Sequence, residues 1–249
     1  MSSGHDLNLA PWPDDDFKSY GEIETLELSR IQQLVGSYLH RNWVRIPHVT
    51  HQDDADISSL SAARKALHER TGVKVTPLAY MVKAAVATLK ALPTFNASLA
   101  SDGKTLTLKK YFNIGYAVNT ASGLIVPVIH NADQKSIVEI AQEIAEVSEM
   151  ARTKGVPMQL MSGGCFTISS LGGIGGTGFS PIINAPEVAI LGITKSVDKP
   201  YRGDNDEVVW KTMLPLSLSY DHRVINGADA AQFCVEFAKA MANPEALEK

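Results

Sequence analysis

Apolar positions change period along the chain, and each change marks an element. Leu214, Leu216 and Leu218 alternate with Pro215, Ser217 and Ser219, the period of a strand with one dry face, within a strand predicted over 208–218. Residues 28–43 carry Ile31, Leu34, Val35 and Leu39 at helical spacing with Ser29 as cap, which predicts a helix packed against a sheet. Residues 136–154 form the clearest amphipathic helix, with Ile137, Ile140, Ala141, Ile144 and Val147 opposite Glu139, Glu143 and Glu146, and Gly155 as its stop. Residues 78–92 are apolar on most sides, which predicts a buried helix ended by Pro93. Two more helices are expected, from Ile57 to Arg70 with Gly72 as terminator, and over 228–242.

Strands are predicted to begin at His48 and to span 105–111, 114–119, 165–169 and 187–195. The run from Leu124 to Ile129 is apolar throughout and fits an inner strand covered on both faces. Helices and strands thus mix without the regular alternation of a doubly wound fold, so the class is α/β of the α+β kind. Gly172-Gly173-Ile174-Gly175-Gly176-Thr177-Gly178 holds no Gly-Lys-Ser/Thr and leads into Phe179-Ser180-Pro181, which excludes a phosphate loop. It predicts a tight turn where backbones approach each other.

Composition narrows the field. A net charge of −4 argues against nucleic acid, and no apolar run has the length of a membrane helix or the layout of a signal peptide, which makes the cytoplasm the expected setting. Cys165 and Cys234 lie in apolar contexts without metal-ligand spacing, so buried thiols are expected, with no disulfide and no metal. Residues 1–16 have no periodicity and predict a flexible tether, with Met1-Ser2-Ser3-Gly4 as an appended start, ahead of one domain over 17–249.

The strand ending at Leu218 runs on through Ser219-Tyr220-Asp221 to His222, and Ile225-Asn226-Gly227 turns into the last helix. A histidine held there suits a general base for a thiol or hydroxyl, although a lone histidine is more often a hydrogen-bonded structural residue. Asp221 cannot easily orient it, because neighbours on a strand point to opposite faces; a salt bridge or turn hydrogen bond is its expected role.

His222-Arg223-Val224-Ile225-Asn226-Gly227 resembles the His-x-x-x-Asp-Gly signature of the superfamily of chloramphenicol acetyltransferase and the dihydrolipoamide acyltransferases. The block from Gly163 to Thr177, the segment Pro181-Ile182-Ile183-Asn184-Ala185-Pro186-Glu187, and Ile46-Pro47-His48-Val49-Thr50 resemble the second group. On these motifs the chain is similar, from about Phe17 onward, to the catalytic domains of 2-oxoacid dehydrogenase acyltransferases, most like the acetyltransferases of pyruvate dehydrogenase.

The resemblance implies a chloramphenicol acetyltransferase-like mixed-sheet sandwich with flanking helices, trimeric, moving an acyl group, acetyl above others, between coenzyme A and a lipoyl arm on a separate domain. It implies His222 as general base and Ser169 as oxyanion donor, contributed by two neighbouring subunits. Asn226 stands where much of the family has Asp; an amide can hold the loop but cannot act as a charged partner. Arg64 matches a basic residue near the nucleotide end of coenzyme A, and Asn119 replaces an acidic residue in that neighbourhood. Implied partners are the homotrimer and a larger trimer-based core, the lipoyl domain, and the decarboxylase and dihydrolipoamide dehydrogenase of the complex. A scaffold with a silent site is the alternative; retention of His222 and Ser169 speaks for activity.

Overall fold

Ser29 opens the first helix by a reciprocal cap: its Oγ accepts from Gln32 N at 3.2 Å and its N donates to Gln32 Oε1 at 2.8 Å, so α1 runs Arg30–Arg45. The computed structural model describes residues 10–120 and 123–248. After α1 come β1 (His48–Asp56), α2 (Leu60–Thr71), α3 (Pro77–Ala91), β2 (Ala97–Leu99), β3 (Leu106–Leu108), β4 (Ile114–Tyr116), β5 (Val118–Thr120), β6 (Gly123–Ile125) and β7 (Val128–Ile129). Helix α4 (Ile137–Thr153), β8 (Phe166–Ser170), β9 (Ala189–Ile193), β10 (Val197–Arg202), β11 (Val208–Asp221) and α5 (Gly227–Ala242) complete the chain. Ser136 and Glu139 cap α4 as Ser29 and Gln32 cap α1. Gly72 ends α2 at a φ of +69°, a left-handed conformation that side chains other than glycine's adopt at a cost.

The main sheet has the order β1-β11-β9-β8-β4-β7, with β10 also paired to β11. β8 is parallel to β9 and to β4, and the other pairings are antiparallel. Helices α3, α4 and α5 cover one face, where Leu214, Leu216 and Leu218 join a core centred on Phe95, Phe166 and Phe233. The Phe233 ring lies 4.6 Å from that of Phe95 and 5.3 Å from that of Phe166. The other face is largely polar near its middle: Thr50 Oγ1 and Ser219 Oγ share a hydrogen bond of 2.8 Å, and Ser217 Oγ donates to Gln52 Oε1 at 2.7 Å. There Phe179 lies over Gly192, where any Cβ would come within 2.8 Å of its ring. Ile46, Ile183 and Ile190 form a second, small apolar cluster.

Several expectations are revised. Helix α1 meets the main sheet at its C-terminal end, where the Trp43 ring stacks on that of His48 of β1 at 5.4 Å and Asn42 donates to Ile183 O at 3.0 Å; at its start Ile31 and Gln32 lie against Gly123 of β6. Ile31, Leu34, Leu39 and Trp43 remain 36 to 58 % exposed, so the periodic stripe is genuine but its own chain does not cover it. The run from Leu124 to Ile129 is not one inner strand. Pro127 has no N–H to give a ladder, and the run divides into β6, whose Leu124 is exposed in a hairpin with β5, and β7 at the sheet edge.

The strand expected over 105–111 shortens to β3, in a ladder with β2, which the pattern did not indicate. β10 was also unforeseen, because Val-Asp-Lys-Pro-Tyr-Arg reads as loop, yet an edge strand tolerates Pro200. Residues 1–9 of the expected tether lie outside the described residues, and 10–16 are exposed chain without regular structure. No helix among the described residues is long and apolar enough to cross a membrane. Both thiols are free and buried, as expected.

Replacing Phe233, fully buried between two rings, by Ala is expected to cost about 3 to 5 kcal/mol. Urea unfolding should show this as a lower midpoint at an unchanged slope; a loss under 1 kcal/mol would mean that the cavity collapses.

Candidate active site

The end of β11 is built to project one imidazole. Pro47 O accepts from His222 N at 3.1 Å, which continues the β1–β11 ladder by one residue, and the buried Tyr220 ring lies 5.8 Å from the His222 ring. Beyond it the chain reverses sharply, with Val224 N and Ile225 N both donating to Asp221 O at 2.9 and 3.0 Å. The buried Asp221 carboxylate is spent on that turn. It accepts from Arg223 N at 3.0 Å and from the guanidinium through Nε at 2.9 Å and Nη2 at 2.6 Å, a two-pronged ion pair. The expectation that Asp221 stabilises the turn and does not orient the His222 ring is met. Asn226 is the N-cap residue of α5, and its N donates to Asp229 Oδ2 at 3.2 Å. His222 and Asn226 are both exposed within the single chain.

Ser169 lies two strands away. It pairs with Gly192 of β9, which pairs with Ser217 of β11, five residues before His222. At about 3.3 Å per residue and about 4.8 Å per strand, His222 and Ser169 of one chain are roughly 19 Å apart. No hydrogen bond between them is possible within one chain. Ser169 is half-buried, and its Oγ has no hydrogen-bond partner among the described residues, whereas the Oγ of the neighbouring Ser170 accepts from Gly172 N at 3.4 Å. The glycine stretch beyond begins with a tight turn, as expected, in which Ile174 N and Gly175 N donate to Leu171 O at 2.8 and 3.1 Å and Gly176 has a φ of +89°; what crowds Gly178 is a side chain and not another backbone, since a Cβ there would lie 3.1 Å from Gln52 Oε1.

The two remaining residues separate similarly. Tyr116 of β4 pairs with Ile168, so Asn119, just beyond on β5, lies near the Ser169 end of the molecule, exposed and paired with Leu124. Arg64 lies on α2, which follows the Asp56 end of β1, whereas His222 adjoins the His48 end. Its Nε donates to Val75 O at 2.8 Å, and Lys65, His68 and Lys74 share with it a shallow depression of about 240 Å³. Thus Ser169 and Asn119 share one end of the molecule, His222 and Asn226 flank one turn away from it, and the two pairs do not meet in one chain.

A carboxyl group beneath β8 went unassigned. Glu187 is buried, and its Oε1 accepts from Thr167 Oγ1 at 2.8 Å, two residues before Ser169 on the same strand face. Two glycines make room: a Cβ on Gly115 would lie 2.7 Å from Thr167 Oγ1, and one on Gly164 would lie 3.0 Å from Glu187 Oε1. Burial pushes this carboxyl up to about 8, against the opposing pull of the Thr167 hydrogen bond and Lys109. The only signal in the sequence was one acid at the head of Val188-Ala189-Ile190-Leu191.

The model of the 2-oxoacid dehydrogenases acyltransferase catalytic domain matches residues 20–248. The chain belongs to this family. The acyltransferase domain is 55 % identical over 243 residues to the dihydrolipoyllysine-residue acetyltransferase component of the pyruvate dehydrogenase complex of Cupriavidus necator, covering 96 % of this chain and 43 % of that protein. It therefore spans less than half the length of this curated relative. Its fold matches the Azotobacter vinelandii dihydrolipoamide acetyltransferase with a TM-score of 0.92 at 50 % identity, over 96 % of this chain and 99 % of that one; that structure belongs to an investigation of the role of a serine, a histidine and an asparagine in the catalytic mechanism. The atomic structure of the cubic core of the pyruvate dehydrogenase multienzyme complex matches with a TM-score of 0.91 at 50 % identity over the same shares. Chloramphenicol acetyltransferase shares the fold, with a TM-score of 0.53 at 11 % identity over 86 % of this chain and 94 % of that one.

Because Glu187 is protonated in the folded domain up to about pH 8 and an unfolded chain loses that proton near the usual value of 4.5, this group's contribution to stability declines as pH rises between those limits. Glu187→Gln is expected to remove that slope, so its stability relative to the parent should rise from pH 5 to pH 8 in urea titrations. A parallel pH dependence of the two proteins would refute the assignment.

Proposed function

We propose that this domain transfers an acetyl group between coenzyme A and a dihydrolipoyl arm carried on a separate domain, with residues 17–249 as the catalytic unit and 1–16 as a tether. The observation that carries the reading is the 50 % identity and full-length fold match to an acetyltransferase whose serine, histidine and asparagine were investigated for catalysis. Its histidine and asparagine stand four positions apart, as do His222 and Asn226. Its serine precedes the histidine by 52 positions, the separation of Ser170 from His222, with Ser169 one further. The unengaged Oγ of Ser169, set against the turn contact of Ser170, supports Ser169 as donor.

In this mechanism a ring nitrogen of His222 removes the proton from the attacking thiol as its sulfur adds to the thioester carbonyl. A thiol with pKa about 8.5 is mostly protonated near neutrality, and a positioned base is worth roughly 10² to 10⁴ in rate. Ser169 Oγ–H donates to the oxyanion that forms, an interaction worth about 3 to 4 kcal/mol when well aimed. Collapse of the tetrahedral intermediate breaks the original carbon–sulfur bond, and the imidazolium returns the proton to the departing sulfur. Asn226 holds the His222 loop, and Arg64 and Asn119 belong to the coenzyme A side of the site.

The separation of His222 from Ser169 within one chain requires the site to form between two copies, which the trimer supplies. The apolar surface left open by Tyr20, Leu26, Leu28, Leu34 and Trp43 supports association of copies. Likeness to the cubic core supports a larger assembly of trimers, to which the decarboxylase and dihydrolipoamide dehydrogenase components bind.

With dihydrolipoamide as acceptor, acetyl-coenzyme A is expected to turn over faster than succinyl- or isobutyryl-coenzyme A. His222→Ala should lower kcat by at least about 10² with the oligomer intact by sedimentation. Ser169→Ala should lower kcat more than it raises KM, and Ser170→Ala should do less. Weak coenzyme A binding at an unchanged maximal rate in Ser169→Ala would remove its oxyanion role, and no turnover by the assembled parent would make the domain a scaffold.

A further inference from the structure

Strand β1 carries an anomaly on its helix-covered face. His51 pairs with Leu218 and Asp53 with Leu216, so two polar residues occupy positions to which β11 gives buried leucines. The facing helix is α5, whose Cys234 is fully buried. One ligand atom each from His51, Asp53 and Cys234, a ring nitrogen, a carboxylate oxygen and a sulfur, all lie within 4.8 Å of one another. Neither ring nitrogen of the half-buried His51 hydrogen-bonds to any described residue, and neither does Cys234 Sγ. Asp53 uses Oδ1 to accept from Asp54 N at 2.8 Å, which leaves its second oxygen unassigned.

We propose that His51, Asp53 and Cys234 bind one zinc ion per chain between β1 and α5. The donor set is chemically apt: imidazole, carboxylate and thiolate are the three common protein ligands of this borderline-soft cation. Binding exchanges the thiol proton for a zinc–sulfur bond and releases that proton to solvent. One dication then meets one thiolate and one carboxylate, and the site is neutral where an unpaired thiolate would be expensive. Three protein ligands leave the fourth tetrahedral position to water, on the side where His51 is partly open to solvent.

Linear spacing could not reveal the site, since its donors come from one strand near the start and one helix near the end. The ion would tie β1, whose ladder ends beside His222, to α5, which Asn226 caps.

The test uses the purified oligomeric domain, stripped of metal with a chelator and titrated with cobalt(II). One equivalent per chain should give a thiolate-to-cobalt charge-transfer band in the near ultraviolet, and zinc should displace it. Cys234→Ser should abolish the band while Cys165→Ser keeps it, and His51→Gln should weaken binding by at least about tenfold. Zinc at about 100 times its dissociation constant should raise the melting temperature by about 5 to 11 °C. Absence of saturable one-to-one binding, a band that follows Cys165, or unchanged affinity in His51→Gln would each overturn the proposal; these readouts do not depend on transferase activity.

Discussion

Strand β11 is the constraint on which the rest depends. Its fourteen residues hydrogen-bond to β10 at the start, to β9 in the second half and to β1 along most of their length. A strand held from both sides cannot slip by one residue without turning its leucines out of the core and its serines into it. That register fixes Ser217 and Ser219 on the polar face, Tyr220 against α5, and the exit of His222 beyond Asp221. The ion pair of Asp221 with Arg223 then sets how the chain leaves. Precision at the imidazole is therefore inherited from packing far from it.

The two faces of the sheet divide labour. The helix side is largely aliphatic and closed by three phenylalanines, with His51 and Asp53 of β1 as its polar margin. The opposite side carries hydroxyls, an amide and the buried carboxyl of Glu187, interleaved with glycines that let Phe179 and the strands close up. On this side His48 acts as a clasp: with its Nδ1–H donating to Ile46 O at 2.7 Å, its Nε2 accepts from Ile183 N at 3.0 Å, which sets the ring tautomer and pins the 183 segment beside β1. Polar groups on this face are mostly paired, and Ser169 is an exception with a hydroxyl to spare.

Much of this was legible from residue order. The helical periods, the cap at Ser29, the stops at Gly72 and Pro93, the role of Asp221 and the glycine turn all rest on local physics, and all appear in the structure. What failed depended on tertiary context. Alternation and apolar runs mark an apolar face but not what covers it, so the period of α1 did not show that most of its stripe stays exposed within one chain. Pro127 and Pro200 had opposite consequences because one interrupts an apolar run and the other sits on an edge. The assembly of His51, Asp53 and Cys234, and of Glu187 with Thr167, brings together distant segments whose pairing only the folded sheet defines. For the site residues, local pattern located His222 and the turn after it, whereas Ser169, Asn119 and Arg64 depended on family likeness.

The uncovered stripe of α1 gives the isolated polypeptide an awkward biography. Until copies associate as proposed, each molecule carries Leu34 and Trp43 in water, and any apolar surface it encounters competes for them. On that reading, the share of chains that reach the assembled state depends on how soon copies meet, and low concentration lengthens the time each spends exposed.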